Sequence, residues 1–355
     1  MKVTTPAIAG SALAILALSA CAAGTTSGNT TSTAQPGTTP SDIPQPSGSV
    51  TVLVYDSFAL PDNVIADFTD TTGITVTFEP VGDAGVLTNQ IALTAGAPLG
   101  DAVYGIDNTF ASRAIASGAL ADYVAPTAIE SVDGKLTAID FSDVCFNIDL
   151  AAFGADRPAP STFQDLLDPA NRGLTSVPNP TTSSPGLALL LATYVTYGDE
   201  WGDYWRQLRD NGLKVTAGWS DTYYVDFSAP NYGGDYPIVL SYASSPPSEV
   251  IDGEPTTAAL LNTCFRQTEY AGVLDGAANP AAAQAVIDWL LSDPVQSALP
   301  DSMYVYPISP TATIPQQWQE FAPLSPGAIT MEPSAIDAVR DRLLREWTDI
   351  VINGH

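Results

Sequence analysis

The sequence predicts an α/β fold in two lobes, each a mainly parallel sheet flanked by helices, joined by a two-strand hinge. Three observations predict it. Strand-like and helix-like segments alternate between residues 50 and 118, as parallel strands with crossover helices do. A second alternating unit runs from about 150 to 262. Two apolar stretches, 139–148 and 263–274, stand between these units like crossings of a chain that leaves one lobe, builds another and returns.

The elements follow in order. Residues 50–55 are β-branched and bounded by turn-formers, which reads as a buried strand. Residues 61–72 carry Val64, Ile65 and Phe68 at helical spacing and close on Gly73. Residues 74–78 read as a strand, and Asp83 precedes a helix with Val86, Leu87, Ile91 and Leu93. A third strand over 101–106 leads to a helix over 108–118. In such a sheet, ligands bind at the carboxyl ends of the strands. The second unit has expected helices at 162–167, 185–197 and 200–211, with strands at 213–216 and 237–242. The tail is expected to be helical at 281–291 and 333–350.

Charge removes several function classes. Against 12 Lys and Arg stand 39 Asp and Glu, a net charge of −27, so nucleic acid or an anionic membrane surface would be repelled. A cationic ligand is compatible with that balance. The one histidine is His355, which leaves no base within the fold for a Ser-His-Asp or Cys-His triad and disfavours histidine-containing metal sites.

The N-terminus reads as an export signal. Lys2 precedes an apolar run over 7–20, too short to span a bilayer at ~20 residues. It ends in Leu18-Ser19-Ala20-Cys21, similar to a bacterial lipobox, in which the cysteine becomes the acylated N-terminus. Residues 22–48 are small and polar, with Asp42 the single charge and Ile43 the single large apolar side chain, a composition suited to a flexible tether. The expected division is a signal peptide at 1–20, a lipid-anchored linker at 21–48, one lobe from 49–142 and 266–355, and a second from 143–265. With Cys21 assigned to lipid, Cys145 and Cys264 remain, an even number in an oxidising compartment. They lie on the two crossings and are expected to form a disulfide; the alternative is two buried free thiols.

Several strings then carry a family resemblance: Val54-Tyr55-Asp56-Ser57-Phe58, Gly105-Ile106-Asp107-Asn108, Pro180-Thr181-Thr182-Ser183-Ser184-Pro185, Gly218-Trp219-Ser220-Asp221, Val239-Leu240-Ser241-Tyr242-Ala243-Ser244-Ser245-Pro246 and Tyr304-Val305-Tyr306-Pro307. In this order they resemble the periplasmic thiamine-binding proteins of bacterial ABC importers, which have the type II periplasmic-binding-protein fold. The resemblance implies a binding protein rather than an enzyme, without catalytic residues, metal or cofactor. Its ligand would be thiamine, thiamine monophosphate or thiamine diphosphate. It would be a monomer, lipid-anchored on the extracytoplasmic face of the cell membrane, delivering ligand to an ABC permease.

The resemblance places Tyr55, Trp219, Tyr242 and Tyr304 at the aromatic positions of the pocket, where ring faces meet a flat cation. Tyr304 stands where the family has Trp. Ser183 and Ser184, before Pro185, open a helix whose free N–H groups suit an anion, and the resemblance sets Asp83 and Ala84 opposite them. Ser245 is a further candidate donor. Read without the resemblance, the aromatics are core and the serines and Asp83 are helix caps. Alternatives are a ferric-iron binder using Tyr223 and Tyr224, a polyamine binder, an exported enzyme whose acids catalyse, such as Asp199-Glu200 or Asp341 with Glu346, and a surface lipoprotein without a small ligand.

Overall fold

Nothing in the leader or at Cys21 bears on the architecture below, because the computed structural model describes residues 46–355 and those expectations, with nearly all of the tether, lie outside the described residues. Strand β1 (Gly48–Tyr55) buries Val50, Val52, Leu53 and Val54, covered on both faces as a parallel strand between helical layers must be. It pairs in parallel with β2 (Ile74–Gly82) and β3 (Ala102–Asp107). The crossovers are α1 (Asp62–Thr72), ended by left-handed Gly73, and α2 (Ala84–Leu93), capped by Asp83. The helix expected over 108–118 shortens to α3 (Ala111–Ala116). Asp107 Oδ1 accepts the N–H groups of Thr109 and Phe110 and holds a turn there first.

Strand β4 (Leu136–Asp149) crosses the molecule. Beyond it, β5 (Thr175–Pro178), α4 (Ser184–Tyr197), α5 (Trp201–Asp210), β6 (Lys214–Thr216) and β7 (Ile238–Tyr242) build a second parallel group. The helix expected at 162–167 is a 3₁₀ turn, Gln164–Leu167, and β5 is a strand the sequence did not announce. The return runs through β8 (Thr257–Ala259) and β9 (Phe265–Val273), both antiparallel to β4. Helices α6 (Pro280–Leu290), α7 (Asp293–Met303) and α8 (Pro333–Trp347) complete the fold.

The sheet order β2-β1-β3-β9-β4-β7-β5-β6 makes one mixed sheet of the two groups. Both end groups are parallel, whereas the pairings β3–β9, β9–β4 and β4–β7 are antiparallel. Cys145 on β4 and Cys264, just before β9, are joined by a disulfide with Cα atoms 4.3 Å apart. No described helix is long and apolar enough to cross a membrane. The topology brings the ends of β1, β2, β3 and β7 toward one place, which puts Tyr55, Asp83, Asp107 and Tyr242 near each other.

Candidate ligand-binding site

Two adjoining cavities lie where those strand ends meet. The first is lined by Tyr55, Ser57, Asp83, Ala84, Ser184, Pro185, Trp219, Tyr242 and Glu269. The second shares Tyr55, Ser57, Trp219 and Tyr242 and adds Tyr224, Met303 and Tyr304 among others. Neither lining contains a Lys or Arg.

Tyr55 sits at the end of β1, where the register with β2 shifts. Its ring packs against Gly105, and its hydroxyl donates to Glu269 Oε2 at 3.0 Å. A Cβ on Gly105 would come within 2.1 Å of that ring, and the backbone there has φ +106°, which L side chains rarely adopt. Gly105→Ala is therefore expected to push Tyr55 out of the cleft and to cost roughly 1–3 kcal/mol of stability. A shifted denaturant midpoint together with weakened ligand binding would show it; an unchanged midpoint would mean that the ring does not rest on this glycine.

Asp83 holds two segments at once. Its Oδ1 accepts the Ala84 N–H at 2.6 Å, capping α2, and its Oδ2 accepts the Trp219 N–H at 2.8 Å from the other strand group. Burial raises its pKa to about 6 against the opposing pull of these bonds. Gly218 lets the loop come this close, since a Cβ there would lie 3.1 Å from Asp83 Oδ2. Trp219 stacks on Tyr223 at 5.1 Å and 12°, donates its indole N–H to Ser241 Oγ at 3.0 Å, and stands 5.9 Å from Tyr242 and 6.4 Å from Tyr304. Tyr304 ends α7 in the left-handed conformation, uncommon for a residue with a Cβ, and its carbonyl accepts the Ser244 hydroxyl at 2.5 Å.

The structure thus brings Tyr55, Asp83, Ala84, Ser184, Trp219 and Tyr242 onto one lining and Tyr304 onto the next. It places Ser183 and Ser245 behind that lining. Ser183 is fully buried against the Asp83 carboxylate, and Ser245 is bonded to Ser241 Oγ at 2.8 Å and to the Tyr242 N–H. Ser245 thereby fixes the serine that receives the Trp219 indole. The iron alternative loses one of its ligands, because Tyr223 is buried and donates to Glu249 Oε1. Among the lining residues that sequence reasoning missed, such as Ser57 and Met303, Glu269 is the one with a carboxyl group. The available signal was an acid inside the apolar crossing 263–274, where a side chain free to choose would be hydrocarbon.

Each cavity holds about 20 Å³, room for a water molecule but not for a two-ring ligand. Direct bonds between the two strand groups close it: Asp83 to Trp219, the Val86 N–H to the Thr182 carbonyl at 3.2 Å, and Ser220 Oγ to Asp56 Oδ1 at 3.3 Å. A ligand of that size enters only if these bonds part.

Known proteins resemble this chain in sequence and in fold. The chain is 27% identical over 311 residues to the thiamine-binding periplasmic protein of Escherichia coli (strain K12), covering 84% of this chain and 92% of that protein. Its counterpart from Brucella suis is 26% identical over 319 residues, covering 85% and 92%. Among solved structures, a periplasmic thiamin binding protein superposes with a TM-score of 0.76 at 24% identity, covering 86% of this chain and 96% of that one. Iron-bound HitA from Pseudomonas aeruginosa superposes at 0.66 and 19%, covering 84% and 99%. Both structures share the type II periplasmic-binding fold with this chain. The model of bacterial extracellular solute-binding proteins matches residues 101–325, well over half of the sequence, and the chain belongs to that family.

Proposed function

We propose that the protein captures thiamine, or its mono- or diphosphate ester, between the two strand groups and hands it to an ABC permease. The observation that carries this reading is the lining itself: Tyr55, Trp219, Tyr242 and Tyr304 supply ring faces, Asp83 and Glu269 supply carboxyl groups, and neither lining has a basic side chain to compete. Thiazolium and aminopyrimidine rings are flat, and the first is a cation, so each would gain ~0.5–2 kcal/mol from an aromatic face. The hydroxyethyl or phosphate end would meet Ser184 and the N-terminus of α4, which begins with Pro185 in its first turn. The thiamine-binding relatives, similar over most of their length, support the same ligand.

In this reading the protein binds and releases its ligand unchanged, as a monomer without catalytic residues or a bound cofactor. Cys21 carries the lipid that keeps it at the extracytoplasmic face of the membrane, beside the permease, where tethering raises its effective concentration. Closure of the two groups hides the ligand and forms the surface that the permease reads.

Calorimetric titration with thiamine, its two phosphate esters, spermidine and ferric citrate tests this. Submicromolar affinity for at least one thiamine form and silence from spermidine and iron are expected. Trp219→Ala should weaken that binding by roughly 1–3 kcal/mol through lost stacking and burial. Protein stripped of carried-over ligand that binds no thiamine form would overturn the proposal.

A further inference from the structure

Beneath the aromatic lining, three carboxylates stand in a row across three neighbouring strands. Glu269 on β9 is paired in register with Asp107 on β3 and with Asp140 on β4. Like charges set directly opposite one another on a sheet repel, and here all three are buried. No ion pair among the described residues includes any of them; the basic side chain nearest along β9, Arg266, is bound to Asp143. Among the described residues, Asp107 Oδ2 and Asp140 Oδ1 find no hydrogen-bond partner. The register of β9 shifts on both sides of Tyr270, immediately after Glu269, the kind of bulge that re-aims a side chain beside a site.

Within the row only Glu269 reaches the cavity. Its Oε2 accepts the Tyr55 hydroxyl and its Oε1 accepts the Gln267 Nε2 N–H, both at 3.0 Å, so that once its proton leaves, half of its lone-pair positions are open. Asp83, the other acid on that lining, already has a backbone N–H on each oxygen. We propose that Glu269 is the residue that recognises the ligand's positive charge, and that it gives up a proton to do so, one proton leaving the protein for each cation bound. This rests on the reading of the ligand as a thiamine-class cation. The balance is simple: the carboxylic acid becomes a carboxylate, the proton passes to solvent, and the incoming cation restores the local charge.

The groups facing Glu269 agree with this. They are Tyr55 from β1, Tyr104 and Asp107 from β3, Asp140 from β4 and Tyr242 from β7, and none is a cation. Burial first, then Asp140 and Asp107, raise the Glu269 carboxyl well above the ordinary carboxyl range, which favours its protonated form while the cleft is empty. A cation in the cavity reverses the sign of the local field and draws the proton off. The buried acid row, a liability in the ligand-free protein, becomes a source of selectivity for positive charge.

The test is thiamine calorimetry on the whole protein at pH 7.5 in phosphate and in Tris, whose different ionisation heats report protons released. Wild type is expected to release close to one proton per thiamine. Glu269→Gln is expected to bind roughly 10- to 100-fold more weakly and to release none, the scale of a hydrogen bond to a charged partner. Glu269→Asp, which keeps the acid on a shorter arm, should retain the release with an intermediate affinity. Binding by wild type without proton release, or a Glu269→Gln protein that keeps both affinity and release, would overturn the role of Glu269 while leaving the thiamine reading intact. If Glu269→Gln fails to fold, Glu269→Asp decides, and affinity equal to wild type would overturn the role. Wild type that binds no thiamine would sink the ligand reading and this inference together.

Discussion

Replacing Cys145 and Cys264 together with alanine is expected to remove roughly 2–5 kcal/mol of stability. The bond closes a loop of 119 residues, which includes β5, β6, β7 and the helices between them. Opening that loop frees the unfolded chain by an amount that grows with the logarithm of loop length, so a long loop gains near the upper end of the range. The two sulfurs are buried against Ala243, with Ala259, Leu261 and Ala328 around them, and alanine leaves only a small apolar gap there. Most of the loss should therefore come from the unfolded state rather than from damaged packing. The bond also ties β4 to the start of β9, the strands that stand between the two parallel groups in the sheet. Denaturant unfolding checks this: the double variant and the reduced wild type should lose the same amount, with midpoints shifted alike. Equal stability of oxidised and reduced protein would show that the strand pairing alone fixes this junction.

How much of this could be read beforehand depended on whether a signal was local. Val50, Val52 and Val54 announce β1 because β-branched residues in an unbroken run have few other uses, and Gly73 announces the end of α1 because a left-handed cap suits it. Helix α7 was hidden because Pro300 sits inside it and reads as a break; the helix persists because Val295, Leu299 and Met303 are buried on one side. Sheet order is not a local property. The antiparallel run through β9 and β4 emerges only from which edges pair, and no residue in either strand states it. The aromatic and capping residues of the site were legible through a family resemblance, since a tyrosine or a helix cap by itself is ordinary. Glu269 escaped because its meaning lies in its neighbours: Asp107 and Asp140 are 162 and 129 residues away in sequence, and only the register brings the three into line.

The same acids predict that the protein is more stable in mild acid than at neutral pH. Burial raises Asp83 and Asp107 to about 6, and it lifts Asp140 and Glu269 in the same direction. An acid whose folded pKa lies above its unfolded value binds more protons when folded. Its contribution is therefore complete below about pH 4 and is lost as pH rises through about 6 for Asp83 and Asp107. Between pH 7 and pH 5 those two together should return roughly 3 kcal/mol, and Asp140 and Glu269 add in the same sense from higher pH. The fall in net negative charge relieves general repulsion and works the same way. Asp165 opposes, because the Ser161 N–H lowers its pKa, but its loss begins only as pH falls into the ordinary carboxyl range, below that pH window. Thermal unfolding from pH 8 to pH 5 should show a midpoint that rises by several degrees as pH falls. Asp107→Asn should flatten part of that slope. Saturating thiamine should flatten it too, because a bound cation stabilises the ionised acids and so does the work that protons do in the empty cleft. A midpoint that falls steadily from pH 8 to pH 5 would mean that water reaches the acid row and that the carboxylates are ionised and at ease, contrary to their packing between β3, β9 and β4.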